Sequence, residues 1–330
     1  MRKMATVRVI DSILPIPDAD SIECAVIGGW KVVTKKGEYH PGDLAIYCEI
    51  DSWIPHELAP FLSKGEPKKY NGVKGERLRT VRLRKQLSQG LLLPLVCLGR
   101  LIVEEGTDVS EELGIQKWEA PVSPQLAGQV KGTFPSQIPK TDQERVQNLK
   151  RELENHDSVL FEVTEKMEGS SMTCYLIDGE FGVCSRNMDL KRDENNTFWW
   201  VAIQEDIEQK LRAYGADNIA IQGELIGPGI QGNIYNLISH HFKVFDVYDI
   251  QEGYYLLPED RKTFVEAVGL KHVPLLGTHL LVDPDIDSIL LAAEGKSLLN
   301  PNQEREGVVY KSMNSQFSFK AISNKYLLKT

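Results

Sequence analysis

The 330-residue sequence predicts an α+β protein of two domains, and three features predict it. Residues 1–115 are short runs rich in Val, Ile, Thr, Tyr and Trp, divided by turn residues. Residues 116–140 carry Pro121, Pro124, Pro135 and Pro139 with little periodicity, which reads as a linker. From 141 to 330, helical periodicities alternate with strands joined by tight turns.

In the first domain, 5–14, 21–31 and 44–50 are expected strands, with Pro41-Gly42-Asp43 turning the chain before the last. Residues 77–84 and 90–96 supply two more, and so many short strands imply a small barrel or sandwich. Arginines fall at 77 and 79, then at 82 and 84. Their parity breaks between 79 and 82, so a bulge or turn must fall there if all four share a face.

The second domain is expected to open on a helix. Thr141 with Glu144 forms a capping-box pattern, and Val146, Leu149 and Leu153 repeat on one face. Strands at 159–163 and 172–177 follow, and Asp178-Gly179 links the second to 180–186 as a hairpin. Trp200, Ile203, Ile207, Leu211 and Tyr214 lie on one helical stripe that ends at Gly215. Strands at 218–225 and 242–250, helices at 258–269 and 286–294, and strands at 307–311 and 316–321 complete an antiparallel-leaning sheet domain.

Bulk properties narrow the function. A net charge of −9 argues against a chain-wide polyanion coat. Between Lys68 and Lys85, however, eight basic residues face one acid, Glu76. A basic patch on an acidic chain points to a local contact with phosphates. No apolar run reaches membrane-spanning length, and no secretory h-region precedes Asp11. Five scattered cysteines without a Cys-x-x-Cys pair fit a reducing compartment, so a soluble intracellular protein is expected. No heptad or exposed apolar helix demands an obligatory protein partner.

The stretch around Lys166 organises the second domain. A strand precedes Glu165-Lys166-Met167-Glu168-Gly169-Ser170-Ser171 and another follows, so Lys166 stands at a strand end where a loop can hold it over a pocket. An ordinary lysine is a free amine about once in a thousand at pH 7.5, so a nucleophilic one needs burial, a cation or a metal to lower its pKa. Further along, charged or aromatic residues recur at strand edges: Arg186, Glu224 in Gln222-Gly223-Glu224, Phe245-Asp246, Glu306-Gly307 and Lys320.

Together these segments resemble, in order, the motif series of the covalent nucleotidyltransferases, the superfamily of RNA ligases, DNA ligases and mRNA capping enzymes. The first motif usually carries aspartate where Glu168 stands, and the last usually reads Lys-x-Lys where this chain has Ser318 before Lys320. Lys320 then acts alone or with Lys325. The extra domain lies before the motif series, and only ten residues follow Lys320, which is similar to the RNA ligase 5 branch.

The resemblance implies an N-terminal OB-fold β-barrel followed by an antiparallel-sheet nucleotidyltransferase domain of ATP-grasp-like ligase type. It implies an ATP-dependent RNA ligase that joins 3′-hydroxyl and 5′-phosphate RNA ends, nicks foremost, as in RNA repair. Lys166 is the expected nucleophile and site of AMP attachment, with Lys320 catalytic. ATP is expected against Glu165, Arg186, Glu224, Phe245, Asp246, Arg145 and Lys320. Mg²⁺ or Mn²⁺ is expected at Glu168, Glu224 and Glu306, through waters. On the OB fold, Arg77, Arg79, Arg82, Arg84 and Lys85 are expected to bind RNA. The alternatives are a DNA ligase or GTP-dependent capping guanylyltransferase with unusual domain order, and a non-catalytic RNA-binding relative.

Overall fold

A computed structural model describes residues 2–99, 102–119 and 129–329. The chain divides into two units. The first holds the N-terminal strands together with Gln147–Lys150 and the tail from Leu327. The second holds the described residues from 129 to Val146 and Arg151–Tyr326.

The first unit is built from short antiparallel strands. Ala5–Val9, Leu44–Cys48 and Leu91–Leu93 form one sheet, and Ser12–Pro15, Ile22–Ile27 and Trp30–Lys35 another. Gln116–Lys117, Ser52–Pro55, Val73–Arg77 and Lys68–Tyr70 form a third. Its alternating apolar residues fill two clusters, one around Val7, Ile46 and Ile54 and one around Ile27, Trp30 and Tyr47. Residues 116–117, expected in a linker, instead pair with Trp53 and Ser52.

The basic strip is divided differently from its sequence pattern. One strand ends at Arg77 and the next runs Thr80–Leu83, so the break falls at 78–79 rather than between 79 and 82. Leu78 N–H crosses to Ser52 O there, which ends the first run. Thr80–Leu83 pairs with Gln86–Gln89, and Arg84 and Lys85 make the turn with φ of 47° and 68°. Two left-handed residues in a row match the twist of a two-residue hairpin.

The second unit contains two antiparallel sheets. The larger runs Val130–Thr133, Met188–Leu190, Glu180–Cys184, Ser170–Ile177, Ile219–Ile226, His241–Asp249, Tyr254–Tyr255. The smaller runs Leu275–Leu281, Val159–Lys166, Gly307–Ser312, Ser318–Ile322. Helices Thr197–Gln204, Ile207–Tyr214 and Pro258–Ala267 bury Phe198, Trp199, Ile207, Leu211, Phe264 and Val265 in one core with the larger sheet.

Two expected helices take another form. The stripe from Trp200 to Tyr214 is two helices, because Asp206 adopts a left-handed conformation (φ 54°) and the Glu205 carboxylate accepts the Phe242 N–H at 2.9 Å. Asn196 caps the first helix by accepting the N–H groups of Phe198 and Trp199, which leaves Trp200 exposed. The helix expected from Thr141 begins only at Lys150, after a 3₁₀ turn at Val146–Asn148. Thr141 Oγ1 bonds Ser171 Oγ at 2.8 Å instead, and Glu144 Oε1 accepts the Arg145 N–H at 2.7 Å. Residues 141–145 form no helix, and Arg145 makes a parallel bridge with Lys320.

Candidate active site

Strand register brings the catalytic candidates together. Lys166 ends its strand opposite Gly307, so Glu306, one residue earlier, meets it at the sheet end. The Lys166 Nζ lies 2.7 Å from Glu306 Oε1. Glu224 sits opposite Ser171 in the larger sheet, close enough to act electrostatically on Lys166 and Glu306. The glycines beside these acids allow the close approach. A Cβ on Gly169 would lie 2.5 Å from Leu225 O and 2.8 Å from Glu224 Cγ, and one on Gly307 would lie 2.2 Å from Ala321 O.

The charges of this group are out of balance. Burial pushes the Glu224 carboxyl up to about 8; Lys166 and Arg186 oppose the shift, and Glu306 adds to it. Burial pulls the Lys166 pKa down, but Glu306 and Glu224 outweigh it and hold the ammonium charged above the ordinary lysine range. Arg145 works against them. Lys166, with a pKa expected to be depressed, is thus held as a stabilised ammonium.

Aromatic and buried groups line the same region. Between Gln222 and Gly223 the ladder shifts, so Phe245 is the extra residue of a bulge opposite them. Its ring packs on the cluster of Met167, Ile226, Tyr235 and Val273. Glu165 is 1% exposed; its Oε2 accepts the Leu298 N–H at 2.8 Å, while its buried Oε1 has no hydrogen-bond partner. An orphaned carboxylate oxygen beside Lys166 is a ready acceptor for a donor on a bound molecule.

The other expected residues are placed as follows. Arg145 is buried beside Lys320, and Lys320 N–H donates to Glu144 O at 2.8 Å. Arg186 is exposed and pairs with Asp142 at 2.6 Å. Ser318 Oγ bonds Gln143 Oε1 at 2.8 Å, and Lys325 pairs with Glu294 at 2.8 Å. Asp246 is engaged elsewhere: it pairs with Lys311 and lies 3.9 Å from Arg261. Lys311 Nζ also donates to Phe245 O at 2.5 Å, so this buried network supports the bulge from behind. Among the described residues, no group of three His, Cys, Asp or Glu side chains is poised to hold a metal directly. Glu168, Glu224 and Glu306 nevertheless offer hard oxygen donors of the kind that suit a divalent cation held through water.

Comparison with known proteins adds to this geometry. An OB-fold domain model matches residues 4–95, and an RNA ligase model matches 160–326. A Naegleria gruberi RNA ligase, solved apo as an aspartate-to-alanine variant, is 45% identical, with 99% of this chain and 98% of that chain covered and a TM-score of 0.94. The chain belongs to the RNA ligase family. A structure of the Naegleria gruberi RNA ligase with PPi is 44% identical over 100% of this chain and 99% of that one, TM-score 0.93. A lysine-to-alanine variant of it with ATP and Mn is 44% identical over 99% of each chain, TM-score 0.93. No curated protein matches.

The fold of this RNA ligase is mixed and mostly antiparallel, with an OB-fold domain followed by the ligase domain. The ligase domain brings Lys166, Glu224 and Glu306 together from three separate strands and strand ends. The OB-fold candidates are less alike. Arg77 donates to Asp51 from Nε (3.0 Å) and NH2 (2.6 Å) and stacks 4.0 Å over Trp118, whereas Arg79, Arg82, Arg84 and Lys85 are exposed. Two tyrosines at the ligase site carry no signal in the sequence. Tyr235 OH accepts the Glu168 N–H at 2.6 Å, and the Tyr326 hydroxyl also hydrogen-bonds Glu168. Among the described residues no helix is long and apolar enough to cross a membrane.

Proposed function

We propose that this RNA ligase seals RNA breaks bearing a 3′-hydroxyl and a 5′-phosphate, nicks in a duplex foremost, through AMP carried on Lys166. The observation that carries the reading is the Lys166–Glu306 pair at 2.7 Å, beside Glu224, in a chain of this family. The enzyme uses ATP with Mn²⁺ or Mg²⁺, in keeping with the ATP and Mn bound by the Naegleria gruberi relative.

In the first step the neutral Lys166 amine attacks the α-phosphorus of ATP. A P–N bond forms, the bond to pyrophosphate breaks, and the amine proton leaves toward the carboxylates or water. In the second, an RNA 5′-phosphate oxygen takes the AMP from Lys166. In the third, the RNA 3′-hydroxyl displaces AMP and closes the phosphodiester. Phosphoryl transfer of this kind chiefly needs alignment and charge neutralisation. A divalent cation near Glu168, Glu224 and Glu306 supplies neutralisation of the α-phosphate and a lower Lys166 pKa.

The chain's own residues do the rest. Lys320 and Arg145, side by side in a parallel bridge, set two cations against phosphate oxygens. Phe245, the extra residue of the bulge, offers a face for the adenine, and the unpartnered Glu165 Oε1 accepts from the base edge. Arg186 suits ribose or phosphate once released from Asp142. Arg79, Arg82, Arg84 and Lys85 of the OB fold grip the RNA backbone.

Incubation with α-labelled ATP and Mn²⁺ tests the reading: label stays on the protein and is absent in Lys166→Ala. Retention of label by Lys166→Ala sinks the assignment. One labelled strand offered as nicked duplex, splint and single strand ranks the substrates; a DNA 3′ end and GTP test the two other enzyme classes.

A further inference from the structure

The strand that carries Glu224 runs into a loop, residues 227–240, that none of the expected site motifs includes. The loop is tied internally and from outside. Asn233 Nδ2 donates to Leu237 O at 3.0 Å, Asn233 Oδ1 accepts the Leu237 N–H at 3.2 Å, and Asn300 Nδ2 donates to Ile234 O at 2.7 Å. From this base the loop grips the two residues that follow the nucleophile. Tyr235, 4% exposed, packs in one cluster with Met167, and its hydroxyl oxygen accepts the Glu168 N–H at 2.6 Å. Gly232 N–H donates to Glu168 Oε1 at 3.3 Å.

We infer that Tyr235 is a positioning residue: by holding Met167 and the Glu168 peptide, it sets the Glu168 carboxylate and Lys166 at a fixed separation for the nucleotide and its cation. The inference rests on the Lys166 reading above. Burial raises the phenol pKa, the Glu168 backbone bond opposes it, and Glu306, Glu165 and Glu224 add to the rise, so the hydroxyl stays neutral throughout the working pH range. Its oxygen accepts the Glu168 N–H, and the charges of Glu306, Glu165 and Glu224 act on the hydroxyl. Groups that orient a residue near a cation, without touching the cation, typically change affinity or rate by about 10- to 100-fold when removed.

The test is Tyr235→Phe, which removes one oxygen and keeps the ring, with Tyr235→Leu as a packing control. Binding of ATP with Mn²⁺ is measured by calorimetry in a Lys166→Ala background, where no chemistry follows, and the rate of AMP labelling in the Lys166 enzyme. Tyr235→Phe is expected to weaken binding or slow labelling by about tenfold or more, with a cooperative melt close to that of the parent. Binding and labelling equal to the parent overturn the inference, as does a defect confined to Tyr235→Leu, which assigns the ring to packing alone. If the parent takes no label on Lys166, the proposed function fails separately, and the calorimetry still decides whether Tyr235 shapes the nucleotide site.

Discussion

Lys166 Nζ stands 2.7 Å from Glu306 Oε1, and the register of two neighbouring strands sets that pairing: Lys166 faces Gly307, so the residue before the glycine delivers its carboxylate to the amine. The proposed nucleophile is therefore stored as an ion pair. Activation must loosen the hold of Glu306 while keeping the amine in place.

Removing that carboxylate charge should lower the Lys166 pKa, because burial already acts in that direction and Glu306 is the first of the groups opposing it. Glu306→Gln should let an amine-specific reagent modify Lys166 faster than in the parent at pH 8. On the proposed reading AMP labelling should nonetheless fall by about 10- to 100-fold, since an oxygen assigned to orienting the cation is removed. Slower modification of Lys166 in Glu306→Gln contradicts the electrostatic account.

Glu224 makes stability depend on pH. Its folded pKa, about 8, lies above the ordinary value of 4.5, so the folded state holds a proton that the unfolded chain has released. The stabilisation is full below about 4.5 and disappears as pH rises through about 8. Melting of the ligand-free protein should decline over that window, and Glu224→Gln should flatten the decline while abolishing labelling. An unchanged slope in Glu224→Gln assigns the decline to other groups.

Gly169→Ala should act through crowding. The new methyl meets Leu225 O and Glu224 Cγ at 2.5 and 2.8 Å, and the first is backbone. Overpacking of this kind costs about 1–3 kcal/mol, and here it also displaces Glu224. Melting temperature and AMP labelling should both drop, and full retention of labelling contradicts the packing described.

Within the basic strip, the exposed hairpin and Arg77 should behave oppositely. Replacing Arg82, Arg84 and Lys85 by alanine should weaken RNA binding and reduce the salt slope by about 0.7–0.9 for each phosphate no longer neutralised, with AMP labelling kept. Arg77→Ala instead removes the pair with Asp51 and the stack on Trp118, so it should lower OB-fold stability by about 1 kcal/mol. Loss of labelling in the hairpin variant shows that the strip serves more than RNA.

The buried ions behind Phe245 should be the most sensitive to single changes. Arg261 is 1% exposed and pairs with Glu162, itself fully buried, and Lys311 pairs with Asp246. Glu162→Gln leaves Arg261 with an uncompensated charge and should cost about 3–5 kcal/mol in denaturant unfolding. Asp246→Asn should also raise the Michaelis constant for ATP, through the carbonyl of Phe245 that Lys311 holds. An unchanged constant separates the network from the aromatic.

Much of the fold and site is legible along the chain. Period-two runs and turn residues mark the strands of both domains, and Asp178-Gly179 and Gly215 mark a hairpin and a helix end because backbone conformation there depends on one or two residues. The order of Lys166, Glu224, Phe245, Glu306 and Lys320 is enough to suggest the family. The helix expected at Thr141 does not form there because the local capping pattern yields to cross-chain bonds with Ser171, Ser318 and Lys320, which no local window contains.

What the sequence determined by itself was the inventory and order of reactive groups. Tertiary structure alone decided their state: that Lys166 is a paired ammonium, that Asp246 is held in a buried ion network, that Arg77 is engaged with Asp51 and Trp118, and that Tyr235 holds Glu168. The physical reason is range. Propensity and turn geometry act over a few residues, whereas the charge state and partner of a side chain depend on burial and on groups 26 to 140 positions away in the chain.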